Sequence, residues 1–153
     1  GPAPAGMRVP PPAEVWRRVP SWEFHRANVD PKRSKTIVRS AALADKLEPI
    51  VSMTREDAER RLRHVPGIGV WTAAEVMQRA LGDADALSVG DYHLASVIGW
   101  TLTGAPMTDD EMLEYLAPIR PHRYRAVRLL EVSGTALRPK FGPRTVVTDH
   151  RHH

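Results

Sequence analysis

Cysteine is absent from the 153 residues, and its absence removes several kinds of chemistry. A chain without thiols has no disulfide, no thiolate nucleophile, no cysteine-held zinc and no iron–sulfur cluster held by four thiolates. Long apolar runs are also missing, since no stretch approaches the roughly 18 apolar residues of a membrane span. The N-terminus also lacks the order of a secretion signal. We therefore expect a soluble, intracellular protein.

The sequence contains charged residues of both signs, with more basic than acidic ones. The sequence holds 22 Lys and Arg against 18 Asp and Glu, which gives a net charge of +4 and a pI near 9.8. This balance suits an anionic partner without excluding a neutral one. Apolar residues make up 42% and charged residues 26%, an ordinary globular composition. The length predicts one domain with one core.

Caps, prolines and glycines predict an all-α domain that follows a proline-rich leader. Five of the 14 prolines lie in the first 12 residues, so we expect that segment to be extended. No alternating run bounded by turn signals indicates a strand. The predicted caps are Asp30 before Pro31, Thr54 with Asp57 three residues on, and Thr108 with Glu111 three residues on. The predicted helices cover residues 13–19, a brief segment capped by Ser21, 31–47, 55–63, 70–81, 91–100, 109–116 and 121–134.

A glycine turn, PGIG, separates two of these helices and predicts a helix-hairpin-helix. Gly67 and Gly69 have no side chains, so the backbone N–H groups of the turn can approach a phosphate at the start of the next helix. Such a turn holds a nucleic-acid backbone without reading its sequence. The alternative is an ordinary turn between helices. The predicted DNA-contacting residues are Pro66, Gly67, Ile68, Gly69, Val70 and Thr72.

A second motif, LSVGDYHL, follows downstream and places Asp91 at the predicted start of another helix. Together, PGIGVWTAAEV and LSVGDYHL resemble the helix-hairpin-helix, Gly/Pro-rich loop, Asp superfamily of DNA glycosylases. The WTA that follows the hairpin is most similar to the bacterial 3-methyladenine DNA glycosylase II branch. VDPKRSKTIVRSAALA and PHRYRAVRLLEV also look like helices of that branch. The resemblance implies a helical glycosylase domain in the bacterial cytoplasm, acting on double-stranded DNA.

The resemblance also implies that Asp91 is the catalytic carboxylate. Chemistry agrees, because breaking an N-glycosidic bond gives the sugar oxocarbenium character, which an ionised carboxylate stabilises. The position at a helix N-terminus favours the ionised form. The alternative, for Asp91 taken alone, is an ordinary helix cap.

Strand cleavage is not expected from this sequence. Glycosylases of the superfamily that cleave the strand use a lysine in the second hairpin helix, and the corresponding position here is Trp71. The four lysines, Lys32, Lys35, Lys46 and Lys140, all lie outside the motif. The prediction is therefore a monofunctional glycosylase of alkylated purines, such as 3-methyladenine and 7-methylguanine.

The resemblance suggests which residues surround the flipped base, and four are candidates. Trp71 is aromatic and suits stacking on a cationic base, or it is a core tryptophan. Two family aromatics align with Glu75 and Glu131 here, which is a departure from the family. Glu75 lies one helical turn after Trp71, so its charge is a candidate attractor of a cationic lesion. The alternative is that both glutamates are solvated. Tyr92 flanks Asp91 and is a candidate for contact with the pocket or with DNA, or it is a packing residue.

The family pattern further implies a monovalent cation, Na+ or K+, at the hairpin, and no other cofactor. Backbone carbonyls hold this ion in the family, and the matching positions are Arg63, Val65 and Ile68. Family members also carry further helices and a wedging loop before the region matching VWRRVPSWEF. We therefore expect this chain to be a fragment whose N-terminal half was lost. The alternative is a chain that works with that half as a separate partner. A fragment without the wedge is expected to be weakly active or inactive on its own.

The expected organisation is a leader over residues 1–12, a glycosylase domain over 13–137 and a tail over 138–153. Two other classes of function stay open. One is a noncatalytic DNA-binding module in which the hairpin holds the backbone and Asp91 is only a cap. The other is a helical protein-interaction domain, which requires no DNA binding even at low salt.

Overall fold

The computed structural model describes residues 4–137, and the regular elements in this range are all helical. The predicted all-α class is therefore confirmed for this part of the chain, and the predicted tail over residues 138–153 lies outside it. No helix in residues 4–137 has the length and apolarity to cross a membrane. The helices are α1 (Ala13–Trp16), α2 (Ser21–Arg26), α3 (Pro31–Ala42), α4 (Ala44–Leu47), α5 (Arg55–Arg63), α6 (Val70–Ala80), α7 (Leu94–Thr103), α8 (Asp109–Tyr115) and α9 (Arg123–Ser133), with 3-10 turns at Glu48–Ser52 and Ala117–Ile119.

The helices group into two compact units, where the sequence predicted one domain. The first unit contains residues 4–49 together with Val65–Gly67. The second contains Ile50–His64 and residues 68–137. The first unit thus holds α1 to α4, and the second holds α5 to α9. The order of the helices along the chain does not reveal this division, because both units are built from similar short helices.

In the first unit, α3 packs against α1 and α2. The helix begins as predicted: the Asp30 carboxylate accepts hydrogen bonds from the backbone N–H of Lys32 (2.9 Å) and of Arg33 (3.0 Å), and Pro31 occupies the first helical position. Phe24 of α2 is buried at 5% exposure. Burying this aromatic side chain stabilises the unit by about 1.5–3 kcal/mol.

Three helix boundaries in this unit differ from the prediction. The first helix, predicted over residues 13–19, ends at Trp16. Ser21 is the first residue of α2 and not its cap. The cap position belongs to Pro20, which has an extended backbone and makes no side-chain hydrogen bond to the helix. The helix predicted over residues 31–47 ends at Ala42, because Leu43 has φ −105° and ψ 13° and interrupts it before α4. No proline or glycine marks that interruption, so the hydrophobic pattern runs through it.

The second unit has its core where α7, α8 and α9 supply apolar side chains. Ile98 and Met112 are fully buried at its centre. Thr108 and Glu111 form the predicted capping box at the start of α8. Hydrogen bonds from the backbone N–H and then the hydroxyl of Thr108 hold the pKa of the Glu111 carboxyl below its ordinary value. The buried members of this core are Leu87, Ala95, Ile98, Met112, Leu116 and Val127.

A buried ion pair joins the start of α9 to the loop after α6. Arg123 is 9% exposed, and its Nε and Nη2 donate to the two carboxylate oxygens of Asp85 at 2.9 and 2.7 Å. Burial alone raises the pKa of Asp85, but the hydrogen bonds and charge of Arg123, together with the charge of Arg120, outweigh it and lower this pKa. The pair fixes the position of α9, which forms one wall of the site described next.

Candidate functional site

The hairpin turn needs glycine at Gly67 for two physical reasons. Gly67 has φ +103°, a conformation that side chains rarely adopt. A Cβ atom there would also lie 2.1 Å from the hydroxyl of Thr36 on α3. The neighbouring Pro66 carbonyl accepts a hydrogen bond from Nη1 of Arg39 at 2.9 Å. Arg39, which is exposed, thus places a cation at the turn, and it was not among the predicted site residues.

Gly69 caps α6 with an extended backbone and offers no side-chain acceptor to the helix. The first N–H groups of an α-helix have no partner inside the helix, so those of α6 remain available to an anion. Gly69 and Val70 are exposed, whereas Ile68 and Thr72 are half-buried. The predicted DNA-contacting residues of this segment therefore lie at an accessible helix N-terminus.

Asp91 lies just before α7 and accepts three hydrogen bonds. Its Oδ1 accepts from the backbone N–H of His93 (2.8 Å) and of Leu94 (3.0 Å), and its Oδ2 accepts from the indole N–H of Trp71 (3.3 Å). The prediction that α7 starts at Asp91 was wrong, because the helix begins at Leu94 and Asp91 caps it from outside. No ion pair within residues 4–137 includes Asp91, so its charge has no cationic partner in that range.

The two predicted aromatic residues of the base pocket lie beside Asp91 and do not line the cavity described below. Trp71 is 43% exposed and contacts Asp91 through its indole N–H. Tyr92 is 80% exposed and packs edge-on against the ring of His93. Both therefore form part of the surface around the carboxylate.

A cavity of about 340 Å³ opens next to Asp91, and its volume is in the range of small-molecule sites. Apolar side chains from α7 and α9 and the loop between α6 and α7 form its walls. Polar and charged side chains line the remainder. The apolar lining residues include Leu87, Leu94, Ile98 and Val127, and the polar ones include Gln78, Ser88, Asp91 and Tyr124.

Glu75 lines this cavity and is held by neighbours on both sides. Its Oε1 accepts from the Ser88 hydroxyl at 2.5 Å, and its Oε2 pairs with Arg79 one helical turn further along α6. Gln78 is buried, and its amide N–H donates to the Ser88 hydroxyl and to the Ala86 carbonyl, both at 2.9 Å. This chain of hydrogen bonds fixes the Glu75 carboxylate.

Glu131 on α9 also lines the cavity and pairs with Arg128. The lining thus contains three carboxylates, of Glu75, Asp91 and Glu131, and two guanidinium groups. With the carboxylates counted as −1, the guanidinium groups as +1 and the imidazole of His93, which also lines the cavity, as neutral, the formal charge of the lining is −1. Such a lining favours a positively charged occupant over a neutral one.

The residues expected to hold a monovalent cation are distributed over both units. Arg63 and Ile68 belong to the second unit and Val65 to the first. The cation at the hairpin therefore stays a prediction from the family resemblance. Within residues 4–137, no three His, Asp or Glu side chains converge on a metal position.

Comparison with protein-family models, with curated proteins and with solved structures finds no match to this chain. The class that the fold defines is all-α. The sequence patterns identified Asp91, Trp71 and Glu75 as candidate site residues. No local pattern identified Ser88, Gln78 or Tyr124. Polar residues inside a helical pattern are usually solvent-facing, so only the three-dimensional packing identifies them as cavity residues.

Proposed function

We propose that this protein is a monofunctional DNA glycosylase that hydrolyses the N-glycosidic bond of alkylated purines. The observation that supports this most is the Asp91 carboxylate, which faces a small-molecule cavity and is oriented by three hydrogen-bond donors. In this proposal, the open N-terminus of α6 holds the phosphate backbone of double-stranded DNA. A base flipped from the stack occupies the cavity.

Asp91 acts on the sugar in the proposed reaction. The bond between C1′ and the base nitrogen breaks, and its electron pair leaves with the base. The sugar then carries positive charge, which the Asp91 carboxylate stabilises at close range. A water molecule adds its oxygen to C1′ and loses a proton, so the products are a free base and an abasic site.

Alkylated purines suit this cavity because they are already cationic. Methylation at N7 or N3 gives the base a positive charge, so the base departs as a neutral molecule without an acid catalyst. The net negative lining, in which Glu75 and Glu131 are each paired with an arginine, attracts that charge. No lysine occurs between residues 50 and 137, so the second unit offers no amine for a Schiff base with the sugar.

A noncatalytic DNA-binding module is the second candidate, and one observation favours it. Asp91 Oδ1 accepts from two backbone N–H groups at the start of α7, which is the geometry of a structural cap. In that function the hairpin holds DNA and no base is released.

Base release from methylated duplex DNA separates the two functions. The proposal predicts free 7-methylguanine and 3-methyladenine, with heat-labile abasic sites and no strand cleavage before heating. Salt-dependent binding without base release would support the noncatalytic module, and absence of binding at low salt would support a protein-interaction domain.

We expect Glu75→Gln to lower the release of a cationic base selectively. Removing one charge from the lining costs about 1 kcal/mol at about 4 Å in water, or about fivefold in kcat/KM for 7-methylguanine. Release of the neutral purine hypoxanthine should stay unchanged. The ratio of the two rates measures this selectivity.

The matched control for this variant is Glu59→Gln. Glu59 forms an ion pair with Arg63 one helical turn away on α5, with the same spacing as Glu75 and Arg79, and it does not line the cavity. An equal loss for both bases in Glu75→Gln, or the same change of ratio in Glu59→Gln, would contradict the role of Glu75.

A further inference from the structure

The loop that carries Asp91 is tied to the start of α8 by one long-range hydrogen bond. The backbone N–H of Gly90, the residue before Asp91, donates to Oδ2 of Asp109 at 2.9 Å. Gly90 has φ +84°, so its N–H direction depends on a conformation that glycine adopts most readily. Local bonds complete the loop, with the Asp91 N–H donating to the Ser88 carbonyl at 3.0 Å.

Asp109 is itself held in a constrained position. It is half-buried, and within residues 4–137 its Oδ1 is shielded from solvent without a hydrogen-bond partner. Its Oδ2 therefore makes the one side-chain hydrogen bond that the structure assigns to this carboxylate. A hydrogen bond from a backbone N–H to an ionised carboxylate is about twice as strong as a neutral one. Breaking it would leave a desolvated carboxylate, which is costly.

We propose that Asp109 is a positioning residue that sets the direction of the Asp91 carboxylate through the Gly90 backbone. In this arrangement, both the backbone before Asp91 and the Asp91 side chain are held by hydrogen bonds. The Asp109 carboxylate holds the residue before it, and the N–H groups of His93 and Leu94 hold its own side chain. This inference rests on the proposed function, in which Asp91 must meet the sugar at close range.

The kinetic test compares Asp109→Ala with the wild-type chain. Because small misplacements of a reacting group cost up to about 100-fold in rate, we expect kcat for 7-methylguanine release to fall by about 10- to 100-fold. Duplex binding should change by less than about twofold, since the hairpin is untouched. Asp109→Asn keeps an acceptor oxygen for Gly90 and should restore most of the rate.

Asp110→Ala provides the matched control, because Asp110 is the next residue of the same helical turn and is exposed. It removes the same charge near the helix N-terminus without removing the bond to Gly90. Asp110→Ala should therefore keep the wild-type kcat. An equal loss in both variants, or a wild-type kcat in Asp109→Ala, would overturn the proposal.

A second readout does not depend on activity. In nuclear magnetic resonance spectra, Asp109→Ala should remove the hydrogen-exchange protection of the Gly90 amide and shift the indole N–H signal of Trp71, which contacts Asp91. Asp110→Ala should do neither. If the full-length wild-type protein releases no base, the proposed function fails, while these spectra still decide whether Asp109 fixes the loop. Unchanged spectra in Asp109→Ala would refute that link.

Discussion

Asp91→Asn is expected to abolish base release while DNA binding persists. The substitution removes the negative charge but keeps a carbonyl oxygen that accepts from the N–H groups of His93 and Leu94, and asparagine caps helices as well as aspartate does. Loss of a group that stabilises developing charge costs about 10²- to 10³-fold in rate. Single-turnover release of 7-methylguanine measures the loss, and anisotropy with labelled duplex measures binding.

Asp91→Ala is the informative companion variant. It removes both the charge and the cap, so it should also lower the free energy of unfolding by about 1 kcal/mol. Asp91→Asn should therefore lose base release and keep its stability, which separates the catalytic role of Asp91 from its structural role. Wild-type release by Asp91→Asn would contradict the proposed role of the carboxylate and favour the noncatalytic module.

Arg123→Met is expected to destabilise the protein more than a surface substitution does. Removing one partner of a buried ion pair costs about 3–5 kcal/mol, because the other charge stays desolvated. Here the remaining charge is Asp85, whose side chain is 15% exposed. Chemical denaturation measures the loss. Arg125→Met, at an exposed position of the same helix, is the control and should change stability by less than about 0.5 kcal/mol.

The stability difference between wild type and Arg123→Met should shrink in acid. Arg123 lowers the pKa of Asp85 below its ordinary value of 3.8, so the folded wild-type chain holds the ionised form more strongly than the unfolded chain does. That contribution is fully present above pH 3.8 and is lost as the pH falls through the lowered pKa. If the stability difference stayed constant down to the pH of acid unfolding, the charge of Asp85 would not contribute to the stability of the folded protein.

Local signals in the sequence predicted the elements that depend on neighbouring residues. Asp30 with Pro31, Thr54, and Thr108 with Glu111 cap their helices as expected, because a cap involves residues two or three positions apart. The break at Leu43 escaped prediction because no glycine or proline marks it. The start of α7 was placed too early because a cap can lie outside its helix.

The cavity depended on long-range packing and was only partly predictable. Glu75 and Arg79 are one helical turn apart, so their pairing could be read from spacing. The bonds from Ser88 to Glu75 and from Arg123 to Asp85 cross 13 and 38 residues, and no local pattern encodes them. Glu131 was selected through the family resemblance, and its ion pair with Arg128 lies on the cavity lining.

The three hydrogen bonds to Asp91 have a consequence for how any substrate must approach. A carboxylate that holds the first turn of a helix and an indole ring cannot swing toward a distant atom without giving up those bonds. Its orientation is therefore set before a ligand arrives. In the proposed function, the nucleotide must therefore move to a stationary anion, and the DNA is distorted in place of the protein.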